Sequence, residues 1–191
     1  MSAKGDKTKE LICSEAYKLF AEKGFKEVTM KDICEKTGLS RGGLYRHYSS
    51  TEEIFSHIIN SLMQTQENEV LNKIESLVPA KQILLELLNR YQIEMLDSNC
   101  LTLAIYEFFS TLQRKGNESL LYEQYLLSKK TWESLIAYGI KTKEFNEVNA
   151  EAIIDIIIFS YQGVRLYSNL MLISPQIPEN ILYIIKNILL K

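Results

Sequence analysis

The chain has 191 residues, with 22 Lys/Arg against 24 Asp/Glu, three cysteines, three prolines and two histidines. That length suits one large or two small domains with ample material for a core. The odd, widely spaced cysteines (Cys13, Cys34, Cys100) argue for reduced core thiols and against a disulfide framework or a zinc site. Charge is unevenly shared: residues 1–50 hold ten Lys/Arg against seven Asp/Glu, a net of +3, and residues 51–191 hold twelve against seventeen, a net of −5.

The amino-terminal MSAKGDKTKE is polar, with no apolar run or small-residue cleavage site, so no signal peptide is expected. A first helix is predicted over 8–23, with Leu11, Ile12, Cys13, Ala16, Leu19 and Phe20 on one broad stripe. Gly24 ends it and Phe25 supplies a closing apolar contact.

The segment 28–54, VTMKDICEKTGLSRGGLYRHYSSTEEI, carries the most functional information. Thr29 can cap a short helix whose apolar face is Met30, Ile33 and Cys34. Gly38 suits the left-handed residue just past that helix. Ser40 can cap a second short helix, and Leu44 and Tyr48, four apart, give it one buried edge. Arg41, Gly42, Gly43, Tyr45, Arg46 and His47 are then left to face outward. A cationic, aromatic outer face suits a DNA groove, which makes this a helix-turn-helix pattern. An ordinary αα-corner with a solvated outer face would carry the same spacing, and the flanking helices favour the first reading. Downstream, Ser50 and Glu53 have the spacing of a capping box.

Beyond residue 50 the pattern is helical throughout, and the fold class is all-α. A fourth helix is predicted over 51–77, roughly 40 Å long at 1.5 Å per residue. Its inward residues are Ile54, Phe55, Ile58, Leu62, Val70, Ile74 and Leu77. Further helices are expected over 80–97, broken by Asp97-Ser98-Asn99, over 101–115, ended by Gly116-Asn117, and from 118 to about 138 or 143. The last two cover 149–172 and 178–191. The most apolar stretch, 152–173, contains Asp155, Gln162, Arg165 and Asn169, so it reads as a buried helix and not a membrane span. Ile153, Ile154, Ile156, Ile157, Ile158 and Phe159 nearly encircle it, and such a helix needs cover on more than one side. Gly163 would allow a neighbouring helix to approach closely. With only His47 and His57, and no C-x-x-C, H-E-x-x-H or G-K-[ST] pattern, the chain offers no enzyme constellation.

The string FAEKGFKEVTMKDICEKTGLSRGGLYRHYSSTEEIF resembles the DNA-binding head of the TetR family of bacterial transcriptional regulators. The matching pieces are Phe20 with Gly24-Phe25, Thr29 with Ile33, Gly38-Leu39-Ser40, Leu44-Tyr45 with His47-Tyr48, and Glu52-Glu53-Ile54. The resemblance implies a three-helix helix-turn-helix head over 1–50 and a larger helical ligand-binding and dimerisation body over 51–191. It implies a homodimer, paired through the last two helices, that reads a palindromic double-stranded DNA operator in the cytoplasm, with no membrane partner.

Arg41, in the first turn of the recognition helix, is the expected base reader, because a guanidinium can pair bidentately with guanine. Gly42 and Gly43 permit close backbone approach. Tyr45, Arg46 and His47 match positions that in the family mostly touch phosphates, and Thr29, Ser40 and Thr51 complete the expected DNA-facing set. Lys4, Lys7 and Lys9 are expected to form a disordered arm reaching the DNA backbone. Two positions depart from the family: Thr51 stands where many relatives carry a phosphate-clamping lysine, and Gly43 where they often carry a small hydroxylated residue.

The family also implies a small-molecule inducer bound among the middle helices, with no cofactor and no metal. Tyr91, Phe109, Tyr125, Trp132 and Tyr161 are the candidate ligand-binding residues. Glu94, Glu107 and Glu123 would favour a cationic ligand, although solvated helix faces explain them more simply. The commoner family behaviour is a repressor released by its ligand. The alternatives are control by a protein partner, or action as an activator.

Overall fold

A computed structural model describes residues 3–97, 100–114 and 119–191. Nine helices are present among these residues, and the chain forms two compact units. The first comprises Met1–Leu62 and Asn99–Ser119, the second Met63–Ser98 and Leu120–Lys191.

The first unit holds α1 (Ala3–Lys23), α2 (Met30–Thr37), α3 (Arg41–Tyr45), the start of α4 (Thr51–Glu75) and α6 (Thr102–Arg114). Its centre is aromatic. Phe20 meets Phe55 edge-on at 4.7 Å, Phe25 lies 5.1 Å from Phe55, and Phe108 of α6 lies 5.0 Å from both Phe25 and Phe55. Each of these rings is buried, which contributes roughly 1.5–3 kcal/mol apiece. Ile12, Ala16, Leu19, Ile33, Leu44, Ile54 and Ile58 surround them.

α1 starts earlier than the sequence pattern suggests. Lys7 and Lys9 are therefore helical residues and not part of a disordered arm, while the side chain of Lys4 lies outside the described residues. The buried stripe is also narrower, since Leu11 is 43% exposed. On α4 the buried face runs from Ile54, Phe55, Ile58 and Ile59 to Met63, Glu67 and Val70, and Leu62 falls off it and is exposed. The expectation of an inward Leu77 also fails. The helix ends at Glu75, Leu77 turns into the left-handed region at φ 57°, and Val78 N donates back to Lys73 O at 3.0 Å just ahead of Pro79.

The second unit holds the rest of α4, α5 (Ala80–Leu96), α7 (Ser119–Lys141), α8 (Ala150–Ser168) and α9 (Gln176–Leu189). α5, α8 and α9 pack pairwise around Ile83, Leu84, Met95, Leu135, Ile154, Ile157 and Ile185. Asn149 caps α8 through Ala152 N at 3.2 Å. That helix stops at Ser168, short of 172, where Ser168 Oγ and Asn169 Nδ2 both donate to Arg165 O in place of continuing backbone bonds. α9 begins two residues before the expected 178, with Pro178 in its first turn, where a missing N–H costs nothing. Its last turn is closed by Asn146, whose Nδ2 donates to Ile188 O and Leu190 O. Phe145 pairs with Leu190 in an isolated bridge, and its ring covers Gly139. The expected breaks at Ser98-Asn99 and Gly116-Asn117 lie outside the described residues. No described helix is long and apolar enough to cross a membrane.

Candidate nucleic-acid interface

The α2–α3 corner is built by local chemistry. Thr29 Oγ1 accepts from Asp32 N at 3.2 Å, and the Asp32 carboxylate returns a bond to Thr29 N at 2.8 Å, a complete capping box. The Thr29 hydroxyl also donates to the Asp32 carboxylate, and that bond first and the amide's second hold Asp32 below the usual carboxylate range. Gly38 closes α2 at φ 69°. Ser40 Oγ then accepts from Gly43 N at 3.1 Å and starts α3. α3 is only five residues long, but His47 N and Tyr48 N still donate to Leu44 O, so the helical path continues through the following turn.

Leu44 is fully buried and Tyr48 nearly so, as their spacing requires. Arg41, Gly42, Tyr45 and Arg46 are exposed, and Gly43 and His47 half-exposed. One face of α3 is thereby anchored, and the opposite face presents two guanidinium groups and a phenol. The two glycines differ. A Cβ at Gly42 would meet nothing within 4 Å, whereas one at Gly43 would come 3.2 Å from the Ser40 hydroxyl. Gly43 thus has a local reason, room for the cap. Lys9 of α1 lies 5.7 Å over the Tyr48 ring, which places its ammonium beside the end of the recognition segment.

Thr51 is the first residue of α4, half-buried. The capping at this helix differs by one residue from a reciprocal Ser50–Glu53 box. Ser50 Oγ accepts from Glu53 N at 3.2 Å, but the Glu53 carboxylate takes its bonds from Ser49 N and Ser49 Oγ, both at 2.7 Å. Those bonds hold Glu53 below its ordinary range. Cys13 bonds Tyr48 Oη at 3.3 Å, and burial pushes its thiol up, away from the thiolate chemistry a redox switch needs.

The five candidate ligand-binding residues do not form one site. Tyr91, Trp132 and Tyr161 come together: Tyr91 stacks on Tyr161 at 4.1 Å and meets Trp132 edge-on at 6.0 Å. Tyr161 Oη donates to Glu94 and accepts from Arg165 Nη1 at 3.1 Å. Burial pushes the Tyr161 phenol well above its usual range, with Arg165 opposing and Glu94 assisting, so it remains a protonated donor. Tyr125 stands apart, its hydroxyl on Asp155 at 2.7 Å and its ring near Tyr122 and Phe159. Phe109 belongs to the aromatic centre of the first unit, 5.2 Å from Phe108.

Beside Tyr91 and Trp132 lies a narrow cleft with only about 30 Å³ of interior space, lined also by Met63, Gln66, Glu67, Leu87 and Arg90. Glu67 is 5% exposed and bonded by Gln64 at 3.0 Å and Lys130 at 3.3 Å. Sequence reasoning missed it, although an acid on the Met63–Val70 face of α4 was a readable signal. It also missed the α4–α5 ion network, in which Glu69 holds Lys73 and Arg90, and Lys73 holds Glu86 at 2.7 Å. No group of three or more His, Cys, Asp or Glu able to hold a metal occurs among the described residues.

A capped α2–α3 corner that presents arginine and tyrosine to solvent defines a helix-turn-helix DNA-binding transcriptional regulator. The profile of bacterial regulatory proteins of the tetR family matches residues 12–58. The HTH-type transcriptional regulator YfiR of Bacillus subtilis is 31% identical over 155 residues, spanning 78% of this chain and 73% of that protein. The HTH-type transcriptional repressor KstR2 of Rhodococcus jostii is 26% identical over 149 residues, spanning 75% and 70%. Among solved structures, a TetR transcription regulator from Haloarcula marismortui superposes with TM-score 0.76 at 18% identity, covering 97% of this chain and all of that one. The reduced form of Escherichia coli NemR superposes with TM-score 0.75 at 14% identity, covering 96% and 98%. The chain belongs to the TetR family of bacterial transcriptional regulators.

Proposed function

We propose that this protein is a ligand-responsive repressor that binds a palindromic operator as a homodimer in the cytoplasm and is released by a small molecule. The observation that carries the reading is the outward face of α3, where Arg41, Tyr45 and Arg46 are exposed around Gly42 while Leu44 is fully buried. Arg41 reads a base edge, Gly42 and Gly43 bring the backbone close, and Tyr45, Arg46, His47 and Thr51 grip phosphates. Thr29 and Ser40 hold the corner through their caps. The reading includes no catalytic step, cofactor or metal.

The dimer is supported by large apolar side chains left in water on the last two helices. Ile156, Phe159, Tyr183 and Ile184 are each more than half exposed, and a Cβ at Gly163 would meet nothing within 4 Å. Large exposed apolar side chains on two neighbouring helices favour an association face, and a two-fold pairing would present two copies of α3 to successive major grooves. Ligand response is supported by the cleft beside Tyr91 and Trp132, the polar cluster of Tyr161, Glu94 and Arg165 lying against Tyr91.

Selection of an operator from random duplex DNA tests the whole reading. A palindrome with half-sites about one helical turn apart is expected, and Arg41→Ala should weaken binding by about 1–3 kcal/mol and relax one position in each half-site. An asymmetric site, or unchanged selectivity in Arg41→Ala, overturns it.

A further inference from the structure

We propose that Glu107 is a positioning residue for DNA recognition: from α6 its carboxylate holds the turn between α1 and α2, and through that turn it fixes where the α2–α3 corner stands on α1. A single oxygen, Glu107 Oε2, accepts from Phe25 N at 2.8 Å and from Lys26 N at 3.1 Å, amides 82 and 81 residues away in the chain. Hydrogen bonds to an ionised acceptor are about twice as strong as neutral ones. The turn is shaped to admit the carboxylate. Gly24 sits at φ 80°, and a Cβ there would come 2.7 Å from the same oxygen.

The next residue on α6 engages the same turn. Phe108 meets the Phe25 ring edge-on at 5.0 Å, so α6 grips Phe25 by its backbone and its side chain together. A solvated glutamate would need none of this; the neighbouring Tyr106 of α6 is 57% exposed. From the turn the chain runs through buried Val28 directly to Thr29, the cap of α2. Since α2 and α3 pack on one another across the short Gly38–Ser40 turn, an error at Phe25 is carried to Arg41. α6 reaches the first unit from a separate stretch of chain and packs on α1, and the Glu107 bonds add a tie to the turn that follows α1.

The test uses the full chain and a duplex operator selected with the wild-type protein. Glu107→Ala should lose at least about tenfold in affinity at a temperature where both proteins are fully folded, since small misplacements break bidentate base contacts. The slope of log affinity against log salt should not change, because no phosphate contact is lost. Glu107→Gln retains an oxygen able to accept both amides and should stay within about threefold of wild type. Amide exchange at Phe25 and Lys26 should accelerate markedly in the alanine variant and much less in the glutamine variant, whose neutral oxygen still accepts both amides. Should Glu107→Ala fail to fold, Glu107→Asp replaces it, because a side chain one methylene shorter cannot reach and must lose affinity where glutamine does not. Operator binding within twofold of wild type by Ala or Asp overturns the assignment, even if melting temperature falls. Equal losses in Gln and Ala also overturn it, since charge and not positioning would then be responsible.

Discussion

Replacing Gly42 by alanine separates the stability of the recognition helix from its fit to DNA, because the two should move in opposite directions. In the free protein the change is favourable. Gly42 is an exposed residue of α3 and the added methyl meets nothing within 4 Å. Glycine in a helix costs about 1 kcal/mol relative to alanine, so the melting temperature should rise by about 2–4 °C for a chain of this size. A better-formed α3 would by itself tighten DNA binding by at most that same amount. Against it stands the methyl on the face proposed to meet the groove. Pushing α3 outward would disrupt the Arg41 base contact, worth about 1–3 kcal/mol. The second effect should win, leaving affinity for a selected operator roughly tenfold weaker, or about 1.4 kcal/mol. Thermal melting and fluorescence anisotropy on one preparation read both quantities. Tighter binding together with a raised melting temperature would refute the placement of Gly42 against DNA.

Gly139→Ala should be strongly destabilising, because the new methyl would fall on the Phe145 ring, which is 1% exposed and pinned by its bridge to Leu190. Overpacking of this kind costs about 1–3 kcal/mol, and urea titration should show the midpoint fall, with partial recovery when Phe145→Leu is added. Leu77→Gly should stabilise: the residue is 77% exposed, so little packing is lost, and it sits at φ 57°. Relief of about 1–2 kcal/mol less about 0.5–1 kcal/mol for glycine leaves a net gain of roughly 0–1.5 kcal/mol by the same titration. Glu144 should make stability acid-sensitive. Burial alone would raise its pKa from 4.5, but the amides of Lys81 and Ala80 and the Thr142 hydroxyl outweigh it and lower it. A carboxyl depressed on folding contributes stability above its unfolded pKa and loses it as pH falls through the folded value. Glu144→Gln should therefore be less stable than wild type at neutral pH, with the gap starting to close as pH falls below about 4.5 and vanishing only below the lowered folded value.

The parts of the head that were legible from sequence are those written in neighbouring residues. Thr29, Gly38, Ser40 and Leu44 each act within four positions, so spacing specifies them, and the structure shows each cap and the buried edge where expected. The contacts that were not legible join distant segments. Glu107 reads as a solvated glutamate and nothing in the sequence singles out Glu144, yet each binds two consecutive backbone amides in a remote part of the chain. A carboxylate supplied from more than sixty residues away leaves no periodic trace. The shift at Leu62 has another cause: at about 100° per residue it shares the face of Ile54, Phe55 and Ile58, but beyond Ile59 the covered face moves round the helix to Met63, Glu67 and Val70. Aromatic content also said little about which rings meet, since Phe109 and Tyr125 have the same helical spacing as Tyr91 and Trp132 but pack elsewhere.

The geometry of the second unit constrains how an inducer would work. Tyr91 is already stacked on Tyr161 and edge-on to Trp132, and Tyr161 is already bonded to Glu94 and Arg165. A ligand that enters the cleft beside these rings and fills the ~300–1,000 Å³ usual for a small-molecule site must part some of them. The conformer that admits it is therefore a minor one, and apparent affinity is reduced by the fraction of molecules in that conformer. Such a cost has a use in a switch. A ligand that fitted the resting packing as well as the parted one would bind without shifting any equilibrium. Under the proposed reading, the stacked rings and the bonds of Tyr161 to Glu94 and Arg165 would make occupancy and rearrangement come together. Loosening the stack, as Tyr91→Ala would do, should then strengthen ligand binding while shrinking the difference in operator affinity between the free and liganded protein.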